Sequence, residues 1–399
     1  MKVLLDIFEK TRKDLFGPGK PLEKFEPGYD AAETFLFSPV HTTKKGPHVR
    51  DAVDTKRYMS MVIAALIPAL IFGIYNAGYQ AQLATSQSID CASCFIEGLK
   101  LVVPLIILSY AVGGTWEAIF AVVRKHPINE GFLVTGLLFP LILPPTIPLW
   151  QAAIGISFGV VIGKEVFGGT GMNVLNPALV ARAFCFFSYP GKMSGDNVWV
   201  HISDPAKMVD GFSGATPLAI AAAHTKTAAT DPNVVEALTA KGFSFMAMFS
   251  GLIPGSIGET STVAILLGAL FLAIVGVASF RTMIACVFGA MVTGLIFYNF
   301  APASAAGIYH LPPHLHLVMG GFAFGCVFMA TDPVSSAATN TGKLIYGFGI
   351  GVLAVLIRTV NPAYPEGMML AILFMNVFAP LIDFYVIQVH VADRRRKHE

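Results

Sequence analysis

The sequence predicts an all-α, polytopic membrane protein of about ten transmembrane helices in two inverted five-helix halves. Three observations carry that expectation. The 399-residue chain is 54% hydrophobic and only 13% charged, with a mean hydropathy of +0.65, too little charge to cover a soluble protein of this length. Apolar runs near the length that crosses a bilayer recur along it. One long polar stretch, about 190–258, divides five such runs from five. An odd number of spans per half makes the second half enter from the opposite face, which is the geometry of an inverted repeat.

Residues 1–57 form a polar arm in which Lys and Arg recur from Lys2 to Arg57. It contains no apolar core of a signal peptide and is expected to stay cytoplasmic. The first transmembrane half, 58–189, has spans at 58–77, 98–122, 131–146, 149–163 and 175–189. An extracytoplasmic loop, 190–258, follows. The second half, 259–388, has spans at 259–280, 283–300, 316–331, 345–358 and 367–388, before a basic tail at 389–399. Loops 78–97 and 301–315 lack Lys and Arg, whereas Arg124, Lys125, Lys164, Arg281, Lys343 and the run Arg394–Lys397 fall on the other side. The positive-inside rule then places both termini in the cytoplasm. Arg358 alone falls at the outer boundary, where snorkelling is expected.

Two polar, Gly/Pro-punctuated stretches correspond between the halves. The first, 164–177, holds Lys164, Glu165, Gly168-Gly169-Thr170-Gly171, Asn173 and Asn176-Pro177; the second, 329–343, holds Thr331-Asp332-Pro333, Ser335, Thr339 and Lys343. Irregular backbone is tolerated at membrane depth only where protein or a cavity satisfies it. The stretches read as discontinuous helices along a transport path, or more plainly as interhelical loops. The glycine run lacks the strand context and spacing of a nucleotide-binding fingerprint.

Acids within spans are costly and are functional candidates by default. Glu117, Asp332 and Asp383 are candidates for cation uptake or coupling. The structural alternatives are that Asp332 caps the next half-helix and that Asp383 lies near the cytoplasmic interface. Gly113 and Gly114 would let a helix or a flat ring approach the second span. Cys185, Cys286 and Cys326 read as small buried hydrophobes. Cys91 and Cys94 form a CxxC in a loop, either an extracytoplasmic disulfide or a chance spacing. Zinc or iron–sulfur cysteine spacing is absent, His310, His314 and His316 resemble a metal cluster only superficially, and no metal site is expected. Ser256, Glu259 and Ser261 read as start signals for the sixth span. The net charge of +2 argues neither way about nucleic acid, and no such partner is expected.

The most informative segment is Asp210-Gly211-Phe212-Ser213-Gly214-Ala215-Thr216-Pro217. Pro217 suits a first helical position and Leu218-Ala219-Ile220-Ala221 continues it. Thr216 then falls at the N-cap, where a phosphate ester on its hydroxyl would lie against free amide groups. Gly214 and Ala215 are expected to leave room for a bulky group. On physical grounds alone, a plain capped helix is the simpler account.

Asp-x-x-Ser-Gly-Ala-Thr over residues 210–216 resembles the motif of proteins flavinylated through a phosphoester between FMN and threonine. Along nearly its whole length the chain resembles the B subunits of the sodium-translocating NADH:quinone reductases (the Nqr family), relatives of the D subunits of Rnf complexes. The landmarks include His48-Val49-Arg50-Asp51, Gly113-Gly114-Thr115-Trp116-Glu117, Arg124-Lys125-His126, Asn129-Glu130-Gly131, Leu143-Pro144-Pro145-Thr146, Ala330-Thr331-Asp332-Pro333 and Phe378–Asp383.

The resemblance implies a fold like that of urea and ammonium channels. It implies FMN on Thr216, with Asp210, Ser213, Gly214 and Ala215 around it. Arg182 would meet the flavin phosphate or a carboxylate, or else snorkel at an interface. It further implies a non-covalent riboflavin, electron transfer to ubiquinone, and sodium export across a bacterial inner membrane. Gly113, Gly114 and Glu117 are associated with a quinone region, and Glu117, Asp332 and Asp383 with sodium. The implied partners are the other five members of a six-subunit Nqr complex and a flavin transferase. Those five are the flavin-bearing C subunit, the iron–sulfur D and E subunits of the membrane, the NADH-oxidising F subunit, and the A subunit. NADH oxidation belongs to those partners, since no nicotinamide or FAD fold is visible here. Two alternatives stay open: an Rnf-type D subunit serving ferredoxin and NAD, and a passive channel by analogy of fold alone, which leaves the flavin motif unexplained.

Overall fold

The computed structural model describes residues 55–396, except 86–88, 126–130, 203–207, 210–211, 225–232, 303 and 362–365, together with isolated positions of the preceding arm. His48, Arg50, Asp51, His126, Asn129, Glu130 and Asp210 lie outside the described residues. Among the described residues the regular structure is entirely helical.

The first half contains α1 (Thr55–Ala84), α2 (Cys91–Arg124), α3 (Gly131–Leu141), α4 (Leu149–Val161) and α5 (Pro177–Ser188). Short helices α6 (Pro217–Ala223), α7 (Val234–Ala240) and α8 (Phe245–Ser250) punctuate the loop. The second half contains α9 (Thr262–Val275), α10 (Phe280–Phe300), a short α11 (Leu315–Val318), α12 (Asn340–Val360) and α13 (Met368–Arg396). Many starts carry a side-chain cap: Asp90, Asn176, Ser261, Ser279 and Thr339 each accept an amide N–H of the first turn. Each such cap contributes about 1 kcal/mol.

Each of the ten expected segments finds helix, but not in one form. Six are long and apolar enough to cross a membrane: α1, α2, α4 extended to Phe167, α10, α12 and α13. Helices α3, α5 and α9 are shorter. The eighth segment, expected as one span over 316–331, is broken into α11, a single turn at Phe322–Phe324 and a π-helix at Gly325–Met329. Gly320 at φ 61° interrupts it, a backbone angle that suits glycine. The third segment stops being helical at Leu141 rather than at 146, because Pro144 and Pro145 follow. Its irregular backbone is paired with the end of the long loop: Gly258 N donates to Leu141 O at 2.7 Å and Ile257 N to Leu143 O at 3.2 Å. A Cβ on Gly258 would press into Leu141.

Two further expectations need correction. Cys91 and Cys94 do not lie in a loop but open α2. Both are free thiols, and Cys94 Sγ donates to Gln82 Oε1 at 3.0 Å. The last span runs on as helix into the basic tail, to Arg396. Arg358 does not snorkel. It is fully buried and donates to the carbonyls of His316 (2.6 Å), Met319 (2.9 Å) and Glu366 (2.8 Å). Broken helices leave carbonyls without amide partners, and a guanidinium fork supplies several donors at once.

Packing follows the same order in each half. Helix α2 lies on α1, α3 and α4, and α4 on α5; α10 lies on α12, and α12 on α13. The halves meet where α1 packs on α9 and α5 on α13. Small residues set the closest crossings: a methyl on Gly98 would overlap the Ile74 carbonyl, and one on Gly351 the Cys286 carbonyl. One apolar core runs through both halves, while Leu218, Ala221, Val234 and Leu238 of the loop helices pack with Ile308, Leu311 and Leu315. The outer face exposes Ile71, Ile107, Ile274, Phe300 and Phe374, the apolar surface required of a structure bathed in lipid.

Candidate functional site

The loop segment 212–216 leads into α6 as the local sequence dictates. Thr216 is the N-cap, in an extended conformation, and its Oγ1 accepts Ala219 N at 3.2 Å. Pro217 occupies the first helical position, and Leu218 and Ala221 fasten the helix to the loop core. Ser213 is exposed, and its Oγ accepts Ala215 N at 3.3 Å. Gly214, which lines a cavity with Thr146, Val200 and Phe212, and Ala215 form the approach to Thr216. Both are buried, and a Cβ on Gly214 would overlap the Asp196 carbonyl. A further space borders Thr216 itself, in a cleft walled by Phe186, Met193, Trp199, Ile253, Ser256 and Glu259.

Beneath this cleft lies a cluster of buried charge. Arg182, on α5, is 3% exposed, so the snorkelling alternative falls. Its Nη2 donates to Glu366 at 2.5 Å and to Ser256 Oγ at 3.5 Å, and its Nη1 stands 3.9 Å from Glu259. Of the two expected partners it meets carboxylates. Neither Glu366 nor this use of Glu259 was expected, and the only available signal was an acid flanking an apolar segment.

A second cleft lies between the halves, walled by Tyr58, Lys164, Thr170, Asn173, Asn176 and Asp332. The two irregular stretches matched in sequence meet here. Asn176 Nδ2 donates to Asp332 Oδ2 at 3.4 Å, while Asn176 Oδ1 caps α5. Asp332 also accepts from Val334 N (3.2 Å) and Ser335 Oγ (2.7 Å). No half-helix follows for Asp332 to cap, since 333–335 form a turn and Thr339 caps α12; Asp332 braces that turn and also lines the cavity. The Thr170 hydroxyl in this wall is buried with no hydrogen-bond partner.

Beside this cleft, Lys164 Nζ lies 2.5 Å from Glu117 and 3.8 Å from Glu165, and Glu165 reaches Arg124 at 3.5 Å. Glu117 and Lys164 are each 2% exposed. Gly113 does admit a flat ring, and that ring is Phe132: a Cβ on Gly113 would stand 2.5 Å from it, and Lys164 Nζ lies 5.9 Å from its centroid. Gly114 is looser, since a Cβ there would lie 3.6 Å from the same ring. Asp383 is brought to neither cleft. Its carboxylate accepts Ala338 N (2.6 Å), Thr339 N (3.0 Å) and Thr339 Oγ1 (2.5 Å), ordering the entry to α12.

Residues 42–392 match the family described as NQR2, RnfD, RnfE. Three similar proteins carry names that make each the B subunit of an Na(+)-translocating NADH-quinone reductase. The one from Azotobacter vinelandii is 48% identical over 95% of this chain and 96% of its own length. A Pseudomonas aeruginosa protein is 46% identical over the same shares, and one from Chromohalobacter salexigens is 47% identical over 96% of this chain and 94% of its own.

Proposed function

Because this chain belongs to the NQR2, RnfD, RnfE family, we propose that it is the flavin-bearing membrane subunit of a sodium-pumping NADH:quinone reductase. In this reading FMN is esterified to Thr216, a riboflavin sits without covalent attachment in the cleft between the halves, and electrons leave to ubiquinone. The observation that carries the reading is Thr216 itself. Its hydroxyl stands at the edge of a cleft walled by Phe186 and Trp199, and aromatic rings offer a flat heterocycle a stacking surface.

The residues fit the two groups. Thr216 Oγ1 would hold the phosphate, with Ser213 and the helix start supplying nearby donors. In the inner cleft, the orphaned Thr170 hydroxyl and the amide of Asn173 suit a polyhydroxylated or imide-edged ligand. Bound flavin supplies one-electron redox chemistry. The chain's own part is to exclude water, hold charge and present oxygen ligands. Asp332 offers a carboxylate to a hard cation in the inner cleft. Lys164 neutralises Glu117 beside it, and Arg182 neutralises Glu366 beneath the outer cleft. Asp383 acts on sodium coupling through the entry to α12. The partners are the remaining five subunits of the complex, with a flavin transferase to load Thr216. The complex sits in a bacterial inner membrane with both termini of this chain in the cytoplasm.

The test is denaturing-gel fluorescence. The full chain, co-expressed with its flavin transferase, carries bound flavin, and Thr216→Val carries none and loses quinone reduction in the assembled complex. An unmodified peptide around residue 216 in the native chain sinks the proposal. The family description also covers Rnf proteins; sodium-stimulated, quinone-dependent NADH oxidation separates the two branches.

A further inference from the structure

Glu259 lines the Thr216 cleft beside Ser256 and Thr260. It is only 5% exposed, yet its Oε1 accepts no hydrogen bond. Its cation, Arg182, stands 3.9 Å from that oxygen and gives its short contact, 2.5 Å, to Glu366. Nor is Glu259 needed to start α9: Ser261 is the N-cap and accepts Ala264 N at 3.3 Å. Gly321 stands against the same carboxylate, where a Cβ would come within 2.6 Å of Oε1, so any larger residue there would displace it. A buried carboxylate oxygen without a donor is costly and calls for an explanation.

We propose that Glu259 is the hydrogen-bond acceptor in this cleft for an N–H or O–H group of the flavin on Thr216, and that its negative charge lowers that flavin's reduction potential. The inference rests on the flavin reading of Thr216. The chemistry selects a donor: an anion is repelled by the carboxylate, and a metal cation would be opposed by the Arg182 guanidinium close by. Reduction places an added electron on the ring, and a negative charge in contact with it disfavours that step, more strongly where water is excluded. Glu259 itself gains and loses no electron. The electron arrives from a partner flavoprotein and departs toward quinone.

The experiment is a spectroelectrochemical titration of the full chain, flavinylated by co-expression with its transferase, run above the pH of about 8 to which burial raises the Glu259 carboxyl, so that it carries its charge. Glu259→Gln should leave gel fluorescence unchanged and shift the midpoint positive by a tenfold change in the redox equilibrium, about 59 mV for a one-electron couple. Glu259→Asp keeps the charge but withdraws it by one methylene and should give a smaller positive shift. Flavinylated Glu259→Gln at the wild-type potential overturns the proposal. If that variant does not accumulate, Glu259→Asp decides: a potential and visible spectrum identical to wild type overturn it equally. Wild-type chain without covalent flavin would instead remove the flavin reading of Thr216, a different failure seen on the gel before any titration.

Discussion

Removing the Lys164 ammonium would take from Glu117 the cation paired with it. The two groups are 2.5 Å apart and each is 2% exposed. At an effective dielectric of about 20, Coulomb's law gives roughly 7 kcal/mol for unit charges at that separation. Relaxation and water entry return part of it, and breaking one partner of a buried pair typically costs about 3–5 kcal/mol. Glu165 loses a second cation at 3.8 Å but retains Arg124 at 3.5 Å, so most of the loss falls on Glu117. Lys164→Met should therefore lower the stability of the detergent-solubilised chain by about 3–5 kcal/mol, read as a shift in denaturant midpoint. Adding Glu117→Leu should recover most of that loss, because replacing a whole buried pair by apolar groups is often neutral or stabilising. The reasoning is refuted if Lys164→Met unfolds at the wild-type midpoint. It is equally refuted if the two single losses simply add in the double mutant, since coupled neighbours must not be additive.

Three other outcomes follow from the same geometry. Thr216→Val should abolish gel fluorescence while costing only about 1 kcal/mol for the lost cap, so circular dichroism should show unchanged helix content; retained fluorescence would move the flavin elsewhere. Asp383→Asn should weaken sodium stimulation more than flavin content, as measured by initial rates against sodium concentration, and wild-type sodium dependence would leave Asp383 only its capping bonds to 338 and 339. Gly113→Ala should destabilise by about 1–3 kcal/mol through overlap with Phe132, and Phe132→Leu in the same chain should relieve it; a tolerated Gly113→Ala with Phe132 intact would show that the ring can move aside.

The all-helical, multi-span membrane class was legible because hydropathy is a sum along the chain. Local chemistry was legible too. Pro217 after Thr216 predicts an N-cap, and Thr216 is one; the polar stretches at 164–177 and 329–343 predict interrupted helices at matching places, and they meet at Asn176 and Asp332. Backbone conformation at these positions is dictated by residues within a turn or two. The partners of charged groups were not legible. Arg358 read as an interfacial cation because its span ends there, yet it is sealed by carbonyls from a broken helix about forty residues earlier. Gly214 lines a cavity, yet a Cβ there would overlap the Asp196 carbonyl, distant in sequence.

By itself, then, the sequence determined which segments leave water, where helices begin and break, and which hydroxyl is offered at a helix start. Only the tertiary structure decided that Lys164 answers Glu117 across 47 positions and that Arg182 reaches Glu366 across 184. It alone decided that Glu259 is left one donor short. The physical reason is range. Capping, propensity and hydropathy act between near neighbours or on averages, whereas a charge buried away from water is satisfied by whichever group the packing of distant helices brings to within a few ångströms.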